Sequence, residues 1–136
     1  MSGERYPVLW IGQVAVVTLP AEIDVTNADA IREELLAVLN QGAVLLVADM
    51  SKTDFCDSSG VSALVRVFRH AAATSATALR LVVTTPGVLR VLSITGVDRL
   101  VDVYPSVAAS LAGPSSQADQ ARPDGATAKA DTDGGA

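Results

Sequence analysis

Residues 49–70 read DMSKTDFCDSSGVSALVRVFRH, and the stretch changes character halfway along. Its first eleven positions hold three acids, four hydroxyls and a thiol. Beyond them Val61, Leu64, Val65, Phe68 and Ala72 fall at i, i+3, i+4, i+7 and i+11, the spacing of one helical face. Ser62, Arg66, Arg69 and Ala73 take the other side. Immediately upstream, Ala43–Asp49 is an aliphatic run without alternation, which predicts a strand covered on both faces. A buried strand, a polar turn and an amphipathic helix in that order are the repeating unit of an α/β domain.

The flanking sequence fits the same architecture. Val8–Ile11 and Val14–Leu19 are apolar runs separated by Gly12-Gln13, the signature of a tight primed hairpin turn. Thr26, with Asp29 three residues on, reads as a capping box. Ile31, Leu35, Val38 and Leu39 then recur at helical spacing until Asn40-Gln41-Gly42. Downstream, Leu79–Thr84 predicts a strand, and Thr85-Pro86 the cap and first position of a helix ending at Gly96. Val101–Tyr104 predicts a short last strand and Ser106–Leu111 a short terminal helix. A hairpin followed by alternating helices and strands implies a mixed sheet with helices packed on it.

Length and composition narrow the function. The 136 residues suit one domain with one core, and a charged fraction of 18% is ordinary for a soluble protein. Residues 1–112 form the expected domain. Residues 113–136 contain no Val, Ile, Leu, Met or aromatic residue, so they are expected to be a disordered Gly/Pro/Ala/Asp-rich tail. The net charge is −5 and the ten Lys and Arg are scattered, which argues against a nucleic-acid partner. Residues 1–7 lack an apolar stretch, and Ala43–Ala48 is too short to cross a bilayer. Neither a leader nor membrane insertion is expected, and a cytoplasmic location is. A single cysteine makes neither an internal disulfide nor a structural zinc site.

The chemistry of Asp57-Ser58-Ser59-Gly60 has several readings. Small polar groups at a helix start satisfy backbone N–H donors, so capping accounts for them in part. Two serines and two acids exceed what one cap requires, and one arrangement has Ser59 capping while Ser58 stays free. A serine hydrolase needs a base beside the hydroxyl. The single histidine, His70, lies twelve positions from Ser58 on the same helix, roughly 18 Å away at ~1.5 Å per residue. Those two residues form no dyad within one chain. Thr84-Thr85-Pro86-Gly87 lacks the lysine and glycine spacing of a nucleotide loop. Asp49, Asp54 and Asp57 supply fewer oxygens than a hard divalent ion wants, so no metal is expected. Cys56 lies between acids, which disfavours its thiolate, so a packing residue is expected, with a redox switch as the alternative. No catalytic residue and no cofactor are expected.

Taken together, Glu22-Ile23-Asp24, the strand into Asp49-Met50-Ser51, and Phe55-Cys56-Asp57-Ser58-Ser59-Gly60-Val61 resemble the bacterial anti-sigma factor antagonists, stand-alone members of the STAS family. Leu92-Ser93-Ile94-Thr95-Gly96-Val97 also matches, and the similarity runs over about residues 8–112. The resemblance implies an α/β STAS fold, with a central mixed sheet of four to five strands and about four helices. It implies a non-enzymatic role in transcription regulation by partner switching. The unphosphorylated antagonist binds an anti-sigma factor that is a serine kinase and so releases the sigma factor. The kinase phosphorylates the antagonist and blocks binding, and a PP2C-type phosphatase reverses this. The resemblance places the acceptor at Ser58, and the partner surface at Glu22, Asp24, Asp57, Ser58, Ser59, Gly60, Ser62 and Arg66. Cys56 stands where a larger apolar residue is usual, Ala21 where Gly is common, and Ser62 where a second Gly often occurs. A second expectation within the same fold is a STAS subunit docked constitutively on a membrane lipid-transport complex, which would need no acceptor serine.

Overall fold

The structure, a computed structural model, describes residues 6–74 and 77–113. The expected tail therefore lies outside the described residues apart from Gly113. Strands β1 (Val8–Ile11) and β2 (Val14–Thr18) form the hairpin, with Ile11 opposite Val14. Gly12 turns the chain at φ 61°, a conformation that a side chain would strain. Strands β4 (Leu45–Met50), β6 (Ala78–Val83) and β7 (Asp102–Tyr104) complete a five-stranded sheet in the order β1-β2-β4-β6-β7. Every pair except β1–β2 is parallel, so the sheet is mixed.

The strand order moves steadily in one direction from β2 to β7. Crossovers of one hand then place their helices on one face of the sheet. Helices α1 (Ala28–Asn40), α2 (Ser58–Thr74) and α3 (Pro86–Thr95) do so, with the short α4 (Val97–Leu100) following at Gly96. Ile31, Leu35, Leu64, Val67, Val88 and Leu92 from these helices meet Ala15, Val17, Leu46, Ala48, Leu81 and Val83 of the sheet in the main core. The alternate strand residues Val16, Val47 and Val82 turn to the opposite face, where α5 (Val107–Ala112) contributes Val107. Coverage on both faces is why β4 is aliphatic from Leu45 to Ala48, as its sequence predicts.

Three local expectations are corrected. Thr26 does not cap α1: its hydroxyl donates to the Asp24 carboxylate, and Asn27 takes the position before the helix. Asp29 pairs instead with Arg32 at 2.9 Å. On α2 the buried residues are Gly60, Val61, Ala63, Leu64, Val67 and Ala71, while Ala72 is exposed. The small residues Ala63 and Ala71 are among the buried positions, and α2 packs beside α1. The structure also adds α4 and a second, two-stranded sheet of β3 (Glu22–Ile23) and β5 (Phe55–Cys56). Among the described residues no helix is long and apolar enough to cross a membrane.

Candidate functional site

The two-stranded sheet builds the site. β3 follows β2 and β5 follows β4, so both lie beyond the C-terminal ends of parallel strands, where α/β sheets place their sites. Parallel pairing sets Glu22 beside Phe55 and Ile23 beside Cys56. The Ala21 carbonyl accepts from the N–H groups of Asp54 and Phe55, and the Ile23 carbonyl from that of Asp57 at 3.1 Å. Two segments more than thirty residues apart in sequence thus form one surface. Threonines anchor it from beneath: buried Thr53 donates its hydroxyl to the Pro20 carbonyl, and Thr85 donates to the Thr53 carbonyl at 2.9 Å. Thr85 does precede α3 as expected, but its hydroxyl serves this anchor rather than a cap.

Asp57 is the cap of α2. Its carboxylate accepts from the Ser59 N–H at 2.8 Å and the Gly60 N–H at 3.3 Å, and its carbonyl accepts the first helical bond from Val61. The expectation that Ser59 caps is therefore corrected, because the carboxylate one residue earlier reaches the donors first. Ser59 is half-buried at the second helical position. Ser58, the first residue of the helix, is exposed, and its hydroxyl has no hydrogen-bond partner among the described residues. It points to solvent beside a capped, electropositive helix end.

Gly60 faces inward and is buried, so it belongs beneath the surface rather than on it. A Cβ there would lie 2.6 Å from Cys56 Sγ and 2.7 Å from Ile23 Cγ2. Only a glycine lets the helix start sit directly on the β3–β5 pair. Cys56 is buried in turn, and burial, then the charge of Asp57, pushes its thiol up to about 11. It is a packing residue.

Glu22 is exposed and Asp24 half-buried. The Thr26 hydroxyl and then the Thr26 N–H hold the Asp24 carboxyl below its ordinary pKa, so it stays charged. Asn27 clamps this loop from the helix side: its amide donates to the Glu22 carbonyl at 2.8 Å and its oxygen accepts from the Asp24 N–H at 3.0 Å. Ser62 and Arg66 lie exposed on successive turns of α2 leading away from Ser58. Phe55 (50% exposed) and Val25 (74%) flank the acids with apolar surface. Sequence pattern does not single them out, because a two-residue strand has no periodicity to show which side chain faces outward. Among the described residues no group of three or more His, Cys, Asp or Glu is placed to hold a metal.

The model of the STAS domain matches residues 8–110, which spans the whole sheet and all but the end of α5. This chain belongs to the STAS family. A search of curated proteins gives no match. Among solved structures, an anti-sigma factor antagonist from Mycobacterium paratuberculosis superposes on this STAS domain with a TM-score of 0.73. It is 27% identical, over 79% of this chain and 91% of that one. The anti-sigma factor antagonist SpoIIAA in its unphosphorylated form has a TM-score of 0.66 at 20% identity, covering 79% and 93%. Its phosphorylated form, from Bacillus, has a TM-score of 0.61 at 19% identity, covering 79% and 97%. The murine anion transporter Slc26a9 matches at 0.62 and 23% identity, over 75% of this chain and 18% of that one.

Proposed function

We propose that this STAS domain is an anti-sigma factor antagonist, a binding module whose partner is an anti-sigma factor serine kinase and whose switch is phosphorylation of Ser58. The observation that carries this reading is the exposed, unpartnered Ser58 hydroxyl at the first position of α2. Around it stand Glu22, Asp24 and Asp57 on one side and Ser59, Ser62 and Arg66 along the helix. The backbone and cap of the helix are already satisfied without Ser58, so modification there leaves the fold intact. A phosphoryl group adds about −1.5 to −2 charge, and the helix dipole tolerates it. The neighbouring carboxylates do not neutralise it.

The mechanism follows from that charge. To accept a phosphoryl group, the Ser58 hydroxyl must face the γ-phosphate of ATP held by the kinase. After transfer, the oxygen bears a dianion opposite the remaining nucleotide phosphates and beside Asp57. Like charges in contact oppose rebinding. The phosphorylated antagonist leaves, the anti-sigma factor returns to its sigma factor, and a PP2C-type phosphatase restores the binding form. Incubation with ATP and an anti-sigma kinase, followed by mass spectrometry of the tryptic peptide Thr53–Arg66, tests this. One phosphate on Ser58 is expected; modification of Ser59 instead, or none by any such kinase, contradicts it. Constitutive docking on a membrane transport complex is the second reading, favoured only by the likeness to a STAS-bearing transporter.

A further inference from the structure

We infer that Phe55 and Val25 are the apolar anchors of the partner surface, and that the partner receives them in an apolar pocket rimmed by lysine or arginine. This rests on the reading of Ser58 as the acceptor for an anti-sigma kinase, and it adds two residues that the family resemblance does not place on that surface. The chain has only two phenylalanines. Phe68 packs against the main core, whereas Phe55 and Val25 are largely exposed, and neither is part of a core cluster among the described residues. Single apolar residues on a surface are ordinary. These two are distinguished by their place, on the segments that carry the acceptor.

The local backbone fixes both side chains before any partner arrives. Parallel pairing sets Phe55 opposite Glu22, and Ile23 opposite Cys56. Side chains alternate across a strand, so with Ile23 and Cys56 buried under the start of α2, Glu22 and Phe55 face outward. The Phe55 N–H is tied to the Ala21 carbonyl at 3.3 Å. Val25 sits between two held neighbours. The Asp24 N–H donates to the Asn27 side-chain oxygen at 3.0 Å, and the Thr26 N–H to the Asp24 carboxylate at 2.9 Å. A preorganised apolar group loses little freedom on docking, and aromatic anchors of this kind carry most of an interface's affinity.

Charge defines the rim of the pocket. Glu22 and Asp24 precede Val25, and Asp54 and Asp57 bracket Phe55 and Cys56. None of these four acids is in an ion pair among the described residues. To bring Ser58 to the γ-phosphate of ATP, the partner must accept the acids near its nucleotide phosphates. That approach is repulsive unless cations of the partner stand between them. The apolar anchors then supply affinity that uncompensated charge would oppose.

Steady-state phosphorylation of the full chain by an anti-sigma kinase, with ATP saturating and the antagonist varied, tests this. Phe55→Ala should raise KM roughly ten- to a hundredfold, the return expected from the exposed half of a phenylalanine, and leave kcat within about twofold. Val25→Ala should raise KM roughly threefold, and Phe55→Leu should recover most of the loss at residue 55. Urea midpoints of all three variants should match wild type, because neither side chain supports the core. Ile94→Ala, at an equally exposed position (74%) near the far end of α3, should leave KM unchanged. Wild-type KM should rise with salt, as screening weakens the pairs between acids and rim. A Phe55→Ala protein phosphorylated on Ser58 with KM within about twofold of wild type would overturn the anchors and leave the acceptor reading standing. So would a raised KM accompanied by a lower urea midpoint. A KM indifferent to salt would overturn the cationic rim. If no anti-sigma kinase phosphorylates the wild type, the acceptor reading falls, and the anchors fall with it.

Discussion

Gly60→Ala probes whether the acceptor loop is held by packing beneath it. A Cβ at residue 60 would meet Cys56 Sγ at 2.6 Å and Ile23 Cγ2 at 2.7 Å, both closer than real Cβ contacts come. Overpacking of this kind costs ~1–3 kcal/mol. Against it stands the helix preference of Ala over Gly, ~1 kcal/mol in a helix interior and less at the third position. The net expectation is destabilisation of ~0.5–2 kcal/mol, a fall in melting temperature of about 4–8 °C per kcal/mol. Cys56→Ala removes one of the two obstacles, so Gly60→Ala should cost less in that background. The expected coupling is ~0.5–1.5 kcal/mol, within the range for residues in contact. Urea midpoints of the four proteins, at constant m-value, measure all of this. A Gly60→Ala protein more stable than wild type, or strict additivity with Cys56→Ala, would refute the packing argument.

The remaining predictions test the other parts of the site and its support. Asp57→Ala should lose ~1 kcal/mol as the cap carboxylate leaves two N–H groups unmet, while Ser59→Ala stays within ~0.5 kcal/mol; equal losses in urea denaturation would return the cap to Ser59. Cys56 should react with iodoacetamide at pH 8 roughly a hundredfold slower in the native than in the urea-unfolded chain, given its shift from 9.0 to about 11. Because its folded pKa is raised, the neutral thiol's contribution to stability is complete below pH 9 and lost as pH rises through 11. The stability difference between wild type and Cys56→Ala should therefore narrow over that window. Arg80, buried on β6 with its guanidinium donating to the Ser110 carbonyl at 2.6 Å and lying over the Tyr104 ring, secures α5. Arg80→Met should cost ~1–3 kcal/mol and speed proteolysis around α5, leaving phosphorylation of Ser58 unchanged.

The main elements were legible because each has its own period. Aliphatic runs gave β2, β4 and β6, helical spacing gave α1 and α2, and Thr85-Pro86 with Gly96 bounded α3. What sequence could not show was the pairing of β3 with β5, since strands of two residues have no period and their partners lie far apart. The cap at Asp57 was equally hidden: Asp, Ser and Ser in succession all suit a helix start, and only geometry shows which oxygen reaches the donors. The resemblance puts Gly60 on the partner surface, yet the contacts that a Cβ would meet there make it internal. Arg80 acts through a carbonyl thirty residues away on α5, and Asn27 through the Glu22 carbonyl five residues back across a turn, neither of which composition reveals. The exposed edge of β1 looked like any hairpin strand until the sheet order placed it outermost.

Titration calorimetry of wild type, Ser58→Ala and Ser58→Asp against the purified anti-sigma factor tests the central claim most directly, with circular dichroism as the folding control. Ser58→Ala removes a hydroxyl and adds no charge, so it should bind like wild type while refusing phosphate. Ser58→Asp puts an unpaired carboxylate into the contact, at a cost of ~2–5 kcal/mol, roughly 30-fold to several thousand-fold in affinity. Its single charge places the expected loss toward the lower end. Equal affinities for Ser58→Ala and Ser58→Asp would contradict the switch and leave constitutive docking as the better description.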